Sequence, residues 1–212
     1  MARTKTMPVP EVGAEAPEFH LPSAQGGQLR LSMRTARGPV VVVFYSGWSE
    51  EDVRYFKDLA AKEREINLAG ASIVGIGVGE PQPARDFVHQ TGIKSYVLYD
   101  YAGVATREYG LLEDRERGRY ARPATFIIGA DHKIAHAWLD ERPQAGEVLA
   151  KVSEITGLPK LAEEEPENGD TKAEAGERKK PSPEERERRH AQRRAARKTG
   201  TDAGAEKPAE GE

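Results

Sequence analysis

The chain contains no cysteine at any of its 212 positions. That absence excludes disulfide bonds, thiolate metal sites and cysteine nucleophiles, because each of them needs the cysteine sulfur. The sequence also lacks any run of about 18 or more apolar residues, and it has no charged start followed by an apolar core. We therefore predict no membrane span and no secretion signal, with the cytoplasm as the default location.

Large apolar side chains are scarce towards the end of the chain. After Leu158 the only large hydrophobic residue is Leu161, and no aromatic residue follows. A segment of this composition cannot bury enough apolar surface to offset its conformational entropy. We therefore predict a disordered N-terminus over residues 1–10, one folded domain over residues 11–157 and a disordered charged tail over residues 158–212.

Within the predicted domain, apolar runs rich in β-branched residues alternate with amphipathic segments. The runs predict strands at residues 39–45, 71–79 and 124–129, a weaker strand at 95–100, and a strand at 133–139 that pairs with the preceding one as a hairpin. The amphipathic segments predict helices at residues 49–66, 81–92, 103–110 and 144–157. This alternation indicates an α/β fold in which helices cover a central sheet.

The predicted tail carries a basic segment. Residues 178–198 hold ten lysines and arginines against three glutamates. The segment begins with Ser182 as N-cap, continues with proline and acidic residues, and ends in basic residues. This order predicts a helix over residues 182–198 that has no apolar face. A solvated segment of mixed charge is the simplest interpretation. The alternative is contact with an anionic partner, either a nucleic acid or a membrane surface.

Two further patterns hint at ligand sites that their spacing does not support. His132 and His136 would lie about 13 Å apart on a strand, too far to share one metal ion. Gly75, Gly77 and Gly79 suggest a phosphate loop, but no Lys-Ser/Thr pair follows them. We therefore predict no bound metal and no cofactor.

Four segments occur in the order and with the spacing in which one known family carries them. They are residues 12–32, 38–48, 96–111 and 122–138. The chain therefore resembles the peroxiredoxins, the alkyl hydroperoxide reductase/thiol-specific antioxidant branch of the thioredoxin-fold superfamily. The resemblance implies a thioredoxin-like α/β fold of the peroxiredoxin type, with a central mixed sheet and helices on both faces.

The resemblance also implies where the family's active site falls on this chain. Ser49 aligns with the family's threonine, and Asp52 aligns with its peroxidatic cysteine at the start of a helix. Arg122 is the candidate for the family's arginine, and Pro123 for the cis-proline that faces the active-site turn. Because a carboxylate cannot be cycled by peroxide and a thiol reductant, we predict that no catalytic site is intact.

Ser49 and Asp52 also have a purely structural explanation. Ser49 is a good N-cap residue, and Asp52 stands three residues later, at the capping-box position. Glu50, Glu51 and Asp52 complement the helix dipole. A serine nucleophile at Ser49 would need a neighbouring base, and the sequence places no histidine beside it.

Three functions are open at this stage. The first is a redox-inactive protein that binds a protein or peptide in a groove beside Pro123, by strand addition and with Trp48 and Arg122 as contacts. The second is an antioxidant thiol peroxidase or oxidoreductase, as the resemblance implies, which would need an unknown mechanism or a partner's thiol. The third is a scaffold whose basic tail binds an anionic partner. The resemblance also leaves a homodimer open.

Overall fold

A computed structural model describes residues 7–47, 49–115 and 118–158. Trp48 and the predicted tail from residue 159 onward, including the basic segment 178–198, lie outside the described residues. The strands are β1 (His20–Pro22), β2 (Gln28–Arg30), β3 (Val40–Tyr45), β4 (Ser72–Val78), β5 (Tyr96–Asp100), β6 (Leu112–Arg115), β7 (Gly118–Ala121), β8 (Ala124–Ile128) and β9 (Ile134–Leu139). The helices are α1 (Leu31–Thr35), α2 (Glu50–Leu68), α3 (Pro81–Thr91), α4 (Val104–Glu108) and α5 (Ala145–Thr156).

A five-stranded mixed sheet forms the centre of the fold, in the order β5-β4-β3-β8-β9. β3 and β4 run parallel, as do β4 and β5, whereas β8 is antiparallel to both β3 and β9. All six residues of β3 are buried, as suits a run of valines in a strand that is covered on both faces. The predicted α/β sheet and the β8–β9 hairpin are therefore confirmed.

The two faces of β3 support two separate apolar clusters. Val41, Val43 and Tyr45 pack on the side of the sheet that α2, α3 and α5 cover. Val42, Phe44 and their neighbours pack on the opposite side, with residues of the β1–β2 hairpin, α1, α4 and β7. Alternation along one strand thus divides the core into two layers, because successive side chains point to opposite faces.

The packed part of the chain begins before residue 11. Val9, which the composition assigned to a disordered N-terminus, packs against the cluster around Phe44. Gly110 makes room for this segment, since a Cβ atom there would lie 2.5 Å from the carbonyl oxygen of Met7. The positive φ of Gly110 (69°) also favours glycine at this turn.

The sequence did not predict the two small hairpins and the helix α1. β1 and β2 contain three residues each, and β1 is exposed or half-buried throughout. Such short segments carry too few periods of apolar alternation to stand out from loops.

None of the described helices, within residues 7–47, 49–115 and 118–158, has the length and apolar character needed to cross a bilayer.

Candidate functional site

The first turn of α2 begins directly beyond the carboxyl end of β3. Ser49 is the N-cap residue, and its hydroxyl accepts a hydrogen bond of 3.1 Å from the amide of Glu51. Glu50, Glu51 and Asp52 form an acidic first turn, which complements the positive end of the helix dipole. Ser49 therefore caps the helix as predicted.

Asp52 does not complete the capping box that the sequence suggested. Its side chain turns back towards the end of β3, where Oδ2 accepts hydrogen bonds from the amide (2.9 Å) and the hydroxyl (2.6 Å) of Ser46. Its other oxygen, Oδ1, accepts a hydrogen bond from Nη2 of Arg142. Asp52 is 2% exposed. The carboxylate is therefore buried and held by three donors.

Arg142 is the cation of this site, and it comes from the loop between β9 and α5. Its side chain is 7% exposed, and its Nη1 donates a second hydrogen bond, of 2.9 Å, to the carbonyl oxygen of Phe44. The guanidinium carbon lies 5.3 Å from the centroid of the Tyr55 ring, within the range of a cation–π contact. One arginine thus joins the end of β3, the first turn of α2 and the β9–α5 loop.

Two buried tyrosines flank the ion pair. Burial, aided by the negative charge of Asp52, raises the pKa of Tyr45 well above its ordinary range. Burial also raises the pKa of Tyr55 to about 12, although its hydrogen bond to Thr125 (3.2 Å) and the charge of Arg142 act in the opposite direction. Both hydroxyls are therefore protonated at neutral pH, and neither supplies a base beside Asp52.

Arg122, the arginine that the sequence singled out, lies elsewhere. Its Nε is 2.9 Å from Oδ1 of Asp140 in a partly exposed ion pair. The contact with Asp52 belongs to Arg142, which sequence reasoning missed. Each of the two arginines is followed by a proline, and nothing in the local sequence indicates which of them meets a residue far back in the chain.

Pro123 immediately precedes β8, but its peptide bond is not cis, so that expectation is wrong. Its carbonyl oxygen accepts a hydrogen bond of 2.9 Å from the amide of Asp140, and the amide of Arg122 donates one of 2.8 Å to the carbonyl oxygen of Leu111. These backbone groups are thus already paired within the chain. A peptide added as a strand beside Pro123 would not find them free.

The histidines do not form a shared site. His132 sits in a turn with a positive φ of 66°, and its ring contacts Thr35 and Glu18. The ring of His136 stacks edge-on against Trp138. Across the described ranges, no group of three or more histidines and acids converges as metal ligands would.

A cleft opens beside this site, at the carboxyl ends of β3, β4 and β5. We call it the Tyr45 cleft; its volume is about 270 Å³. It is lined by Tyr45, Ser46, Gly47, Gly77, Val78, Gly79, Glu80, Pro83, Ala84 and Tyr99. Ser46 therefore contributes to both the ion-pair site and the cleft.

Comparison with known proteins agrees with this architecture. The sequence pattern described as the AhpC/TSA family matches residues 12–137. Two Mycobacterium tuberculosis proteins from different strains, each named for the peroxiredoxins, are 27% identical over 133 residues, which is 58% of this chain and 82% of theirs.

Solved structures give the same fold at lower sequence identity. The peroxidoxin BcpB of Mycobacterium tuberculosis superposes with a TM-score of 0.63 at 22% identity, covering 69% of this chain and 98% of its own. A PrxQ mutant from Xylella fastidiosa gives 0.62 at 17% identity, with 68% and 96% covered. The 2-Cys peroxiredoxin of Plasmodium vivax gives 0.62 at 16% identity, with 69% and 82% covered.

Proposed function

The chain belongs to the AhpC/TSA family, and from that premise we propose that it is a redox-inactive member, a pseudoenzyme that acts through non-covalent binding. The observation that supports this most directly is that a carboxylate, Asp52, and not a thiol, lies in the first turn of α2. The family resemblance implies that Asp52 stands at the position of the peroxidatic cysteine, and the chain contains no cysteine elsewhere to replace it. A carboxylate has no accessible sulfenate or disulfide state, so it cannot pass electrons from a thiol reductant to a peroxide.

The contacts of Asp52 support the same conclusion. A carboxylate that acted as a base or nucleophile would need at least one oxygen directed towards a substrate. Here Ser46 occupies Oδ2 and Arg142 occupies Oδ1, and the side chain is 3% exposed. We infer that Asp52 and Arg142 hold the end of β3 and the start of α2 together.

The surroundings of position 52 would nevertheless favour a thiolate. The position is at the N-terminus of a 19-residue helix and beside the Arg142 guanidinium. A helix N-terminus and a neighbouring cation both lower a thiol pKa and so raise the thiolate fraction at neutral pH. This environment makes a direct test of the proposal feasible.

The test compares the natural protein with Asp52→Cys in an assay of hydrogen peroxide consumption with a thiol reductant. We expect no protein-dependent turnover from the natural chain, because it has no thiol. We expect turnover from Asp52→Cys, because Arg142 would lie beside the new sulfur. Peroxide should oxidise the new thiolate to one protein-bound sulfenic acid per chain with loss of hydroxide, and labelling by a dimedone probe in the absence of reductant checks that this thiol itself reacts.

Glu51→Cys is the matched control. It introduces one thiol in the same first turn of α2, but at an exposed position that does not contact Arg142. We expect this variant to be oxidised by peroxide only slowly, at about the rate of a free thiol in solution. Turnover by the natural chain would contradict the proposal, and equal rates from the two cysteine variants would show that position 52 is no longer a reactive site.

The location of the binding surface is a separate part of the proposal. The sequence placed it beside Pro123, with Arg122 and Trp48 as contacts. The structure describes Arg122 and Pro123 at the entry to β8, and Trp48 lies outside the described residues. Because the nearby backbone groups are paired within the chain, we propose that a partner at this surface meets side chains, Arg122 among them, rather than adding a strand.

A further inference from the structure

The Tyr45 cleft contains a tyrosine hydroxyl that nothing in the site above uses. Tyr45 is 2% exposed, and its ring stacks on Phe87 at a centroid distance of 4.3 Å. Its hydroxyl lies over Gly77 in the wall of the cleft, where a Cβ atom on Gly77 would be 2.8 Å from that oxygen. Among the described residues the hydroxyl has no hydrogen-bond partner. The Tyr45 ring is buried, but its oxygen is not one of the described buried side-chain atoms that lack a partner, so it reaches the open space of the cleft and can bond a ligand atom there.

The side chains of the cleft are rich in acceptors. The hydroxyl proton of Ser46 is committed to Asp52, so towards the cleft this oxygen can only accept. Glu80 is exposed at the rim and forms no ion pair with any described residue. Tyr99 adds a second phenol. A group with several donors and a positive charge would satisfy this set, and a protonated amine has three donors and no acceptor.

An anion would meet an unfavourable environment in the same place. The N-terminus of α3 borders the cleft, and helix N-termini usually bind anions through free amides. Here Pro81 and Pro83 occupy the first and third positions of the helix, and proline has no N–H. Glu80 adds a negative charge at the N-cap position, and no lysine, arginine or histidine is among the described residues that line the cleft.

We propose that the Tyr45 cleft binds a small organic ammonium ion, held by the Glu80 carboxylate and by the hydroxyl oxygens of Tyr45 and Ser46. The volume of about 270 Å³ suits a small metabolite or a single aliphatic side chain, and is slightly below that of pockets for drug-sized ligands. The apolar side chains of Val78, Pro83 and Ala84 provide a wall for the hydrocarbon part of such a ligand. This inference names a ligand class for the proposed binding function and rests on that function.

The experiment uses three probes of nearly equal size and different charge: propylammonium, 1-propanol and propionate. Each is titrated into the ¹⁵N-labelled full-length protein at pH 7 and constant ionic strength, and amide shifts are followed by NMR. We expect propylammonium to shift Gly47, Gly77 and Gly79 saturably. We expect 1-propanol to bind at least about tenfold more weakly, because it lacks the charge that pairs with Glu80, and propionate not to bind.

Two variants and a matched control locate the interaction. Glu80→Gln is expected to raise the Kd of propylammonium about tenfold or more, and Tyr45→Phe to raise it while keeping the aromatic stack. Asp86→Asn removes an exposed acid from the same helix that does not line the cleft, and it should leave the Kd unchanged.

Several outcomes would overturn the proposal. These are the absence of saturable propylammonium shifts, equal binding of 1-propanol or propionate, shifts that map to another surface, or an unchanged Kd in Glu80→Gln. The peroxide assay depends on position 52 and not on Glu80. Failure of the ammonium titration is therefore distinguishable from failure of the proposed loss of redox activity.

Discussion

At the scale of single residues, burial of the ion pair between Asp52 and Arg142 carries a large desolvation cost. Removing two charges from water costs several kcal/mol per ion, and their attraction offsets this only when the remaining hydrogen-bonding groups are also satisfied. Here Asp52 receives two further hydrogen bonds from Ser46, and Arg142 donates one to Phe44. The pair is therefore well satisfied, and removing one member leaves the other buried and uncompensated.

This pair leads to a prediction for the two arginine–proline sites. Arg142→Leu should lower the free energy of unfolding by about 3–5 kcal/mol, because it leaves the Asp52 carboxylate buried without a counter-charge. Arg122→Leu should lower it by about 1 kcal/mol or less, since the Arg122–Asp140 pair is partly exposed, with side chains 32% and 59% accessible. Urea unfolding, followed by circular dichroism, measures both.

The double replacement Asp52→Leu with Arg142→Leu provides the check on mechanism. Removing both charges should recover a large part of the stability that Arg142→Leu loses. Similar losses for the two single arginine variants would show that burial of the Asp52–Arg142 pair is not what distinguishes them.

At the scale of secondary structure elements, β4 is shaped by the side chains that cross it. Tyr45 of β3 and Phe56 of α2 lie over Gly75 and Gly77, and a Cβ atom at either glycine would lie less than 3.0 Å from one of those rings. The absent side chains let Tyr45 stack on Phe87 of α3 and line the cleft. The glycines that resembled a phosphate loop in the sequence therefore provide space for aromatic packing.

A pair of glycine substitutions tests this explanation. Gly77→Ala should lower the free energy of unfolding by about 1–3 kcal/mol, because its Cβ would lie 2.6 Å from Cζ of the buried Tyr45 ring. Gly146 lies in the first turn of α5, and a Cβ atom there would have nothing within 4 Å, so Gly146→Ala should raise the stability by up to about 0.5–1 kcal/mol. Thermal unfolding gives the sign of each change. A neutral Gly77→Ala would contradict the packing argument.

At the scale of the whole molecule, buried tyrosines predict how the stability of the fold depends on pH. Burial raises the pKa of Tyr45, Tyr55 and Tyr109 above the ordinary value, to about 12 for Tyr55. In the unfolded chain these phenols ionise near 10.0. Their contribution is therefore complete below pH 10 and is lost above it, because only the unfolded state then releases its protons; for Tyr55 the loss is complete near pH 12, and for Tyr45 and Tyr109 it continues at higher pH.

The prediction is a fall in stability above pH 10. Tyr55→Phe should reduce this loss of unfolding free energy by up to about 3 kcal/mol, the free energy that corresponds to the shift of the Tyr55 pKa from 10.0 to about 12. Tyr101→Phe is the control, since Tyr101 is 67% exposed and should ionise alike in both states. Urea midpoints across this range measure the effect, together with tyrosinate absorbance. Equal pH dependence in the two variants would contradict it.

Much of this fold was readable from the chain itself. The apolar run of β3 and the periodicity of α2, α3 and α5 follow from side-chain spacing, and the order of four family-like segments identified the fold class. The small hairpins were missed because their strands are too short and polar to show alternation. The preference of Ser49 for the N-cap was readable, whereas the turn of Asp52 towards Ser46 depends on atoms outside the helix.

The sequence by itself determined that no thiol chemistry is available, because composition alone decides which functional groups exist. It also determined the α/β architecture, because burial periodicity is a local property of the chain. Only the tertiary structure decided that Arg142, rather than Arg122, meets Asp52 across 90 residues of sequence. The same folding brought the Tyr45 hydroxyl to Gly77 and Glu80 in one cleft. Such contacts depend on how strands and loops pack in three dimensions. The residue type at a single position does not indicate which distant residues it will contact.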